Sequence, residues 1–363
     1  MQIELPISKS IANRLLILQA IHGDELMPVS DSMPDDVRIM SEAIRLLGER
    51  RKARIDLGNC GTAMRFLTAY CAQLDGQTVI LDGVERMRHR PIGQLVDALR
   101  EIGADIEYVG EEGFPPLRIK GRILDKQRIV TINNPQSTQF VSALLLIGVN
   151  VQTDSTSPYI TLTHKLIQHN TTQRHSTRHH TIEKDWSSAA FWYEYVALHG
   201  GEITLPGLFR DSLQGDKVVA DIFTHLGVHT TYTAEGITIA STGLADLQRS
   251  DLQGIDARST AQRSAEEILC QDFSACPDLY PAVALTCERL GFELHATGVE
   301  SLPLKESDRL RAVAEHRTDA DHRMAMALLI AGYEVDNTAC ISKSYPQFLE
   351  HFNQLQRMYS SNH

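Results

Sequence analysis

A lysine and two small hydroxyl residues stand directly before an apolar helical pattern near the start of the chain, as Ser8, Lys9 and Ser10. Arg14 follows one turn later, inside the apolar pattern that begins at Ile11. Free N–H groups at a helix start, together with a lysine, suit the binding of an anion such as phosphate or carboxylate. A capped surface helix with solvated charges explains this single segment equally well.

The same arrangement recurs at other predicted helix starts in both halves of the chain. These starts fall at residues 58–65, 86–91, 134–139, 185–188, 277–278, 305–309, 321–323 and 342–346. Arginine suits two-pronged recognition of phosphate and carboxylate, and lysine acts as a point charge. If these helix starts converge, they form a site for a ligand with several negative charges. The formal net charge of −11 makes such a convergence of cations more informative, because the surrounding field opposes it.

Two carboxylates, Asp278 and Glu306, lie among the basic segments of the second half. A carboxylate held near cations can transfer protons, or it can serve only to balance charge. Spacing alone favours structural ion pairing. The chain contains neither a G-x-x-x-x-G-K-[ST] phosphate loop nor a G-x-G-x-x-G after a strand, which disfavours nucleotide binding through those devices.

The elements that must position these residues follow a repeated order. A helix ending at Leu-Gly or Ile-Gly and followed by two short strands is predicted over residues 95–119 and again over 218–240. Residues 37–57 resemble a shortened copy. Helix–glycine–strand order is common in α/β proteins, but the matched register of two copies favours a true repeat. We therefore expect an α/β protein built from stacked copies of one supersecondary unit.

Length and composition limit the other possibilities. A chain of 363 residues with 42% hydrophobic content is long enough for about two domains. No stretch is long and apolar enough to span a bilayer, and the first residues show neither the basic region nor the apolar run of a signal peptide. The acidic balance argues against a nucleic-acid partner. The six cysteines lack metal-ligand spacing, and four of them lie in apolar helical patterns typical of core thiols, which favours a cytoplasmic location.

One histidine-rich segment stands apart from these patterns. Residues 169–180 include His169, His175, His179 and His180. A metal site is conceivable, but the spacing is irregular and neither a carboxylate nor a cysteine joins the histidines. We expect a solvated loop here and no metal site in the chain.

Ten short motifs occur in an order that carries a resemblance over nearly the whole chain. They are LPISKSIANR, DDVRIMSEAIRLLG, GNCGTAMRFLTA, ERMRHRPIGQLVDALR, GFPPLRI, STQFVSALLL, DWSSAAFW, LKESDRL, DHRMAMAL and SKSYPQF. Together they resemble the 3-phosphoshikimate 1-carboxyvinyltransferase family, the enolpyruvylshikimate-phosphate synthases of the shikimate pathway. The segment DWSSAAFWYEYVAL is most similar to the corresponding sequence in the enzymes of Bacteroidetes-type bacteria.

The resemblance implies a two-domain inverse α/β barrel, the enolpyruvyl transferase fold of repeated βαβαββ units. Its N-terminal domain is expected at residues 9–182, and its C-terminal domain at residues 1–8 and 183–363. In the family, ligands bind between the domains, where helix N-termini converge. This implied architecture agrees with the repeat found from the sequence pattern.

The resemblance also implies a reaction of aromatic amino acid biosynthesis. The family transfers the enolpyruvyl group of phosphoenolpyruvate to the 5-hydroxyl of shikimate 3-phosphate through a tetrahedral adduct and releases phosphate. It uses no metal or organic cofactor. We accordingly expect two small-molecule substrates as partners, no nucleic acid, no membrane and a monomer.

Site residues follow by matching the family's motifs to this chain. The implied phosphoenolpyruvate contacts are Lys9, Gly61, Arg90, Gln139, Arg309, Arg323 and Lys343. The implied shikimate 3-phosphate contacts are Ser10, Arg14, Ser137, Thr138, Thr156, Tyr159, Asp278 and Lys305. Asp278 and Glu306 resemble the carboxylates proposed for proton transfer, and Lys9 is a third candidate. Two positioned groups make chemical sense, because the addition protonates the methylene carbon and removes the hydroxyl proton.

The sequence departs from the family pattern at several positions. Ile7 stands where a small residue usually precedes Ser-Lys, and its side chain could crowd the approach to ligand. Ser301 stands where an asparagine often reaches the substrate, so one hydrogen bond is expected to be missing or mediated by water. Thr138 and Thr156 replace serines and keep the hydroxyl group.

Two spans are short for the family, residues 160–182 and 310–321. Each is expected to complete a folding unit with a helix, a break and a strand pair, which needs about 30 residues. Neither span shows a strand pattern, although the motifs on both sides are intact. Because a closed barrel that lost strands would expose its edges, we expect missing residues, with gaps inside 170–181 and 314–318.

Two alternative functions stay open at this point. The sister transferase that acts on UDP-N-acetylglucosamine shares the fold and phosphoenolpyruvate, but typically carries a reactive cysteine in the loop before the Arg-Pro motif. That loop, residues 86–90, contains no cysteine here. A non-catalytic relative that binds anionic metabolites is the other alternative, favoured by the departures and the short spans.

Overall fold

The chain divides into two compact units in the computed structural model, which describes residues 1–49, 54–172, 182–242 and 268–360. Lys9–Ile182 form one unit, called the first unit below. Met1–Ser8 and Glu183–His363 form the other, called the second unit. The chain therefore passes between the units at two places, after Ser8 and before Glu183.

The first unit contains the following elements: α1 (Lys9–His22), α2 (Asp35–Gly48), β1 (Arg54–Asp56), α3 (Gly61–Ala72), β2 (Thr78–Asp82), α4 (Glu85–Arg88), α5 (Gly93–Glu101), β3 (Asp105–Tyr108), β4 (Leu117–Lys120), β5 (Ile129–Thr131), α6 (Thr138–Leu146), β6 (Asn150–Gln152) and α7 (Pro158–Thr172). Four strands form one sheet in the order β1-β2-β4-β3, and β5 pairs with β6 in parallel. Helices α1, α3, α6 and α7 pack against one another. Residues 86–88, which lie inside the expected loop 86–90, belong to the short helix α4.

The second unit contains α8 (Trp186–His199), β7 (Glu202–Pro206), α9 (Val219–Thr224), β8 (Val228–Tyr232), β9 (Gly236–Ser241), β10 (Ile268–Asp272), α10 (Tyr280–Leu290), β11 (Glu293–Thr297), α11 (Arg309–Ala314), α12 (His322–Ile330) and α13 (Phe348–Ser360). Short 3-10 turns lie at Gly215–Val218, Pro277–Leu279, Leu302–Leu304 and Ala339–Lys343. The strands form a three-stranded sheet, β7-β9-β8, and a parallel pair, β10-β11.

The predicted repeat is confirmed by the sheet topology. In the first unit, β2, α5, β3 and β4 give the strand order β2-β4-β3, with both neighbouring pairs antiparallel. In the second unit, β7, α9, β8 and β9 give β7-β9-β8 with the same directions. In both units the first strand of this pattern also has a parallel neighbour on its other side. In the first unit, β1 runs parallel to β2. In the second unit, Gln2 forms a parallel bridge to Thr204 of β7.

Helix α8 lies at the centre of the second unit's core. Its residues from Trp186 to Leu198 are all buried, so it is apolar on every side and not only on one stripe. Asp185 caps the helix by accepting a hydrogen bond from the Ser188 N–H at 2.8 Å. Aromatic side chains such as Trp192 pack against Phe348 of α13, with ring centroids 5.4 Å apart. This packing fixes the start of α8, where polar residues of the candidate site lie.

The short span after α11 is a continuous turn. The Glu315 N–H donates to the Arg311 carbonyl at 2.9 Å, and the Asp321 N–H donates to the Thr318 carbonyl at 2.8 Å. His316, Asp319 and Ala320 adopt left-handed backbone angles, which let the chain reverse within this length. The predicted absence of strands in this span is confirmed, and the expectation that residues are missing inside 314–318 stays a prediction.

Residues 173–181 lie outside the described residues, and with them most of the other predicted gap and of the histidine-rich segment. Within the described residues, the search for a helix of sufficient length and apolarity to cross a membrane found none.

Candidate active site

The starts of three helices lie close together in the first unit. Lys9, the first residue of α1, places its Nζ 3.0 Å from Oδ2 of Asp36, in the first turn of α2. The thiol of Cys60 caps α3 and donates a hydrogen bond to the Asp36 carbonyl, with Sγ and oxygen 3.7 Å apart. The backbone N–H groups at these helix starts, together with Lys9, favour a bound anion.

Arg90 lies against the start of α3. Its side chain is buried, and neither Nε nor Nη1 has a hydrogen-bond partner among the described residues. A Cβ atom placed on Gly61 would collide with Nη1 of Arg90 and lie 2.8 Å from its Cζ. Because leaving a buried donor unsatisfied is unfavourable, the arrangement favours an anionic ligand at this point. Gly61 is therefore the residue that lets the guanidinium approach the helix start.

Gln139 joins a fourth helix to this group. Its Nε2 donates a hydrogen bond to Oγ1 of Thr62 at 2.9 Å, which connects the first turns of α6 and α3. Ser137 caps α6 by accepting a hydrogen bond from the Gln139 N–H at 3.3 Å, and Thr138 is the first residue of that helix. The structure thus brings Lys9, Gly61 and Gln139 to adjacent helix starts, with Arg90 between helices.

Arg14 is a buried cation held by neutral groups. Its Nε donates to Oγ1 of Thr163 at 2.7 Å, its Nη1 to the Ser10 carbonyl at 2.8 Å, and its Nη2 to Oγ of Ser142 at 3.2 Å. No carboxylate of the described residues lies within ion-pair distance. Burial lowers the pKa of Arg14 to about 10, which leaves it charged at neutral pH. Its unbalanced charge is suited to an anionic ligand.

Tyr159 and Thr156 lie at the start of α7. The Tyr159 ring centroid is 5.9 Å from Cζ of Arg14, within the range of a cation–π contact. Thr156 is exposed just before the helix. Tyr159 is therefore near Arg14 in the first unit, and its carbonyl also accepts a hydrogen bond from Nη2 of Arg14 at 3.4 Å.

In the second unit, three cationic side chains bind the carboxylate of Asp278. It accepts hydrogen bonds from Nη1 of Arg309 at 2.8 Å, from Nη2 of Arg323 at 2.9 Å and from Nζ of Lys305 at 3.4 Å. Asp278 lies in the 3-10 turn before α10, and the arginines lie at the starts of α11 and α12. Three of the helix starts that the sequence singled out in this half, at residues 277–278, 305–309 and 321–323, therefore meet at one carboxylate.

Glu306 lies on the other side of the same arginine. Its Oε2 accepts a hydrogen bond from Nη2 of Arg309 at 3.0 Å, and its Oε1 accepts one from Nζ of Lys343 at 2.6 Å. Arg309 is almost completely buried and connects the two carboxylates. Burial alone would lower the pKa of Arg309, but Asp321, Asp278 and Glu306 together raise it. Arg309 therefore stays charged, and the six predicted residues of this unit form one cluster.

Asp321 completes the cluster, although no role was predicted for it. This fully buried carboxylate accepts hydrogen bonds from Nε of Arg309 at 2.8 Å and from the Ser307 hydroxyl at 3.1 Å. It also caps α12 through the Arg323 N–H at 2.9 Å. The available signal was its position directly before an apolar helix, where aspartate is a preferred cap.

A second buried carboxylate, Asp216, lies near the same cluster and was also missed. The Ser187 hydroxyl donates a hydrogen bond to it. Burial, reinforced by the charge of Asp278, raises the pKa of Asp216 to about 6, while Arg323 acts in the opposite direction. The site therefore holds carboxyl groups in different electrostatic surroundings, which is a feature of sites that move protons.

Within the described residues, no group of three or more histidine, cysteine, aspartate or glutamate side chains is arranged to hold a metal ion. Each unit by itself has a set of cations near helix starts, and the second unit adds the carboxylates Asp278 and Glu306. Such sets can bind phosphate and carboxylate groups and exchange protons.

The fold identifies the structural class to which the chain belongs. Solved structures of EPSP synthase from Acinetobacter baumannii superpose on this chain with TM-scores of 0.63 and 0.62 at 19% sequence identity, covering 98% of this chain and 95% of theirs. The fold is the two-domain inverse α/β barrel.

Sequence comparison gives the family. The sequence model of the family "EPSP synthase (3-phosphoshikimate 1-carboxyvinyltransferase)" matches residues 1–317 and 313–352. The 3-phosphoshikimate 1-carboxyvinyltransferase of Bacteroides fragilis is 36% identical over 406 aligned residues, covering 95% of this chain and 93% of the relative. That of Erwinia tasmaniensis is 29% identical, covering 98% and 96%. The chain belongs to the EPSP synthase family.

The comparisons also show that the chain is shorter than a relative. The 406-residue alignment is longer than the whole chain, so the relative carries internal residues that this chain lacks. The family model matches in two stretches that overlap at residues 313–317, at the end of α11 and the beginning of the following turn.

Proposed function

We propose that this protein transfers the enolpyruvyl group of phosphoenolpyruvate to the 5-hydroxyl of shikimate 3-phosphate and releases phosphate. It is a 3-phosphoshikimate 1-carboxyvinyltransferase of the shikimate pathway, which supplies aromatic amino acids. The observation that carries the proposal is the cluster in which Arg309 binds both Asp278 and Glu306. It combines cations for an anionic substrate with two carboxylates for proton transfer.

Phosphoenolpyruvate is assigned to the more basic set of residues. The set consists of Lys9, Gly61, Arg90, Gln139, Arg309, Arg323 and Lys343. The unsatisfied donors of Arg90 and the helix start at Gly61 support this assignment in the first unit. In the second unit, the hydrogen bonds that the cations now make to Asp278 and Glu306 hold them ready for the substrate's phosphate and carboxylate.

Shikimate 3-phosphate is assigned to a second set of residues. The set consists of Ser10, Arg14, Ser137, Thr138, Thr156, Tyr159, Asp278 and Lys305. The buried, unbalanced charge of Arg14 supports a phosphate ligand, and the hydroxyl groups supply donors and acceptors for a sugar-like ring.

The chemical step needs two proton transfers. When the substrate hydroxyl oxygen bonds to the central carbon of phosphoenolpyruvate, the hydroxyl loses a proton and the methylene carbon gains one. We assign these transfers to Asp278 and Glu306, with Lys9 as a third candidate. Elimination then breaks the carbon–oxygen bond to phosphate and returns a proton from the methyl group. Cations that bind the developing phosphate assist its departure.

Phosphate release with different acceptors tests the proposal. The purified protein should release phosphate when shikimate 3-phosphate and phosphoenolpyruvate are both present, and not when UDP-N-acetylglucosamine is the acceptor. Release with the UDP-sugar alone would identify the sister transferase. No release with either acceptor, in a protein that still binds both shikimate-pathway substrates, would identify a non-catalytic relative.

Two substitutions test the assigned roles. Asp278→Ala and Glu306→Gln should lower kcat by at least 100-fold, because proton transfer acts in the transition state. Glu306→Gln should leave shikimate 3-phosphate binding nearly unchanged, whereas Asp278→Ala weakens it as well. Glu300→Gln, which alters an exposed carboxylate near the same turn, is the control. Full turnover of Glu306→Gln would remove Glu306 from proton transfer.

The remaining assignments follow from the family and the composition. We propose that the first and second units are the two enolpyruvyl transferase domains. We further propose a cytoplasmic monomer that acts on small molecules and not on nucleic acid or membranes. The free cysteines, four of them buried, support a reducing compartment.

A further inference from the structure

Gln214 uses every hydrogen-bonding position of its side chain. The amide oxygen accepts from the Ser8 hydroxyl at 2.8 Å and from the Trp186 N–H at 3.2 Å. The amide nitrogen donates to the Glu183 carboxylate at 2.9 Å and to the Lys184 carbonyl at 2.8 Å. A primary amide offers two donors and two acceptor positions, so this buried side chain is completely satisfied.

Glu183 forms the other half of this network. Its Oε1 accepts hydrogen bonds from the Trp186 indole N–H at 3.0 Å and from the Phe209 N–H at 3.3 Å. Its Oε2 accepts from the Ser212 hydroxyl at 2.7 Å as well as from Gln214. No cation of the described residues pairs with this carboxylate, so its partners are neutral and directional. We call Gln214 and Glu183 the clasp.

The clasp lies where both chain crossings enter the second unit. That unit ends at Ser8 on one crossing and begins again at Glu183 on the other. The backbones of the two crossings also bind each other, because the Ser8 N–H donates to the Glu183 carbonyl at 2.8 Å. Ser8 is completely buried and is followed directly by Lys9, the first residue of α1. The clasp therefore fixes the residue from which Lys9 extends.

We propose that Gln214 is a positioning residue for Lys9, which it holds through Ser8 while Glu183 holds the second crossing. The proposal rests on the proposed function, in which Lys9 contacts phosphoenolpyruvate. It adds a residue that no match to a substrate-binding motif identified. Its effect on the reaction is expected through the placement of Lys9, since a displacement of about 1 Å at a catalytic group can cost 100-fold in rate.

Gln214→Glu is the variant that tests the proposal most directly, because it keeps the shape of the side chain and the oxygen that faces Ser8. It replaces the donor that faces Glu183 by a second carboxylate oxygen, and the two like charges repel. We expect kcat/KM for phosphoenolpyruvate to fall at least 10-fold at pH 8. Lowering the pH to 6 should bring the kcat/KM of the variant closer to that of the parent, because two adjacent carboxylates can share a proton.

A double variant that exchanges the two side chains should rescue the activity. Gln214→Glu combined with Glu183→Gln again places one amide opposite one carboxylate, and it should recover most of the lost kcat/KM at pH 8. Gln354→Glu, at an exposed position of α13, is the matched control and should match the parent. Variants that unfold at lower temperature but keep the parent's kcat and KM well below that temperature would overturn the positioning role.

A readout that needs no turnover separates this proposal from the proposed function. Lys9 is largely buried, whereas Lys165 of α7 is exposed. An amine-reactive reagent followed by peptide mass spectrometry measures both. Gln214→Glu should increase the modification rate of Lys9 several-fold and leave that of Lys165 unchanged, even if the parent released no phosphate. An unchanged rate at Lys9 would contradict the proposal, whatever the activity.

Discussion

At the scale of single residues, the contact between Gly61 and Arg90 makes a sharp prediction. Gly61→Ala places a methyl group where the guanidinium now lies, so Arg90 must move away from the start of α3. We expect KM for phosphoenolpyruvate to rise at least 10-fold in steady-state kinetics, with a smaller change in KM for shikimate 3-phosphate.

Gly48→Ala is the control for this substitution. Gly48 ends α2, and an added Cβ there meets nothing within 4 Å. This variant should keep both KM values and gain up to about 1 kcal/mol of stability from helix propensity. If Gly61→Ala behaved like Gly48→Ala, the assignment of Arg90 to phosphoenolpyruvate would be abandoned.

Asp321 gives a second prediction at this scale. Asp321→Asn removes a buried negative charge that binds the side chain of Arg309. Breaking a buried ion pair from one side costs about 3–5 kcal/mol, and we expect a loss of this order in urea unfolding at pH 7.5. Asp319→Asn, which alters a partly exposed pair with Arg317, should stay within about 1 kcal/mol of the parent. Equal stability of the two variants would show that Asp321 does not hold Arg309.

At the scale of elements, helix α8 contains a carboxyl group that the mechanism does not use. Glu194 is completely buried, and neither of its oxygens has a hydrogen-bond partner among the described residues. Burial raises the pKa of Glu194 well above its ordinary value of 4.5. The folded protein therefore keeps this proton at pH values where the unfolded chain has lost it.

The consequence is a defined pH dependence of stability. As the pH rises above about 4.5, the unfolded state loses the Glu194 proton first, so this residue makes the protein progressively less stable, by up to about 1.4 kcal/mol per pH unit. Glu194→Gln should remove that contribution. Urea unfolding at pH 5 and pH 8 should show the variant gaining stability over the parent at the higher pH. A constant difference between them would contradict a raised pKa.

The short span between α11 and α12 illustrates what the sequence can and cannot tell at this scale. Residues 310–321 show no strand pattern, and the structure has no strand there. What the sequence did not reveal is that Asp321 binds the side chain of Arg309 and also caps the helix of Arg323. A local turn with left-handed residues joins the two helices.

Helix starts were the most predictable part of the candidate site. Caps and apolar periodicity are local signals, and they placed Lys9, Gly61 and Arg323 at the first turns where the structure has them. The pairing of Arg309 with Asp278 was not predictable, because it joins residues far apart in sequence through the packing of several elements. Gln214 and Glu194 were missed for the same reason, since neither spacing nor composition reveals which polar side chains are buried.

At the scale of the whole molecule, the repeat and the family agree. The topology shared by the two units was predicted from helix–glycine–strand spacing, and most of the candidate residues lie at or near helix starts within each unit. The order of the ten motifs indicated the family, which no single motif could have done. The central claim is that this shortened chain still performs the family's reaction with Asp278 and Glu306 as its proton-transfer groups.

One measurement tests that claim most directly. Shikimate 3-phosphate and phosphoenolpyruvate are incubated with the protein in D₂O, and the product is examined by mass spectrometry and proton NMR. We predict enolpyruvyl-shikimate 3-phosphate with deuterium in its methylene group, because addition places a solvent-derived proton on that carbon before elimination. The Glu306→Gln variant should form this product at least 100-fold more slowly. Absence of the product with the parent protein, or product formation at the parent's rate by the variant, would contradict the account.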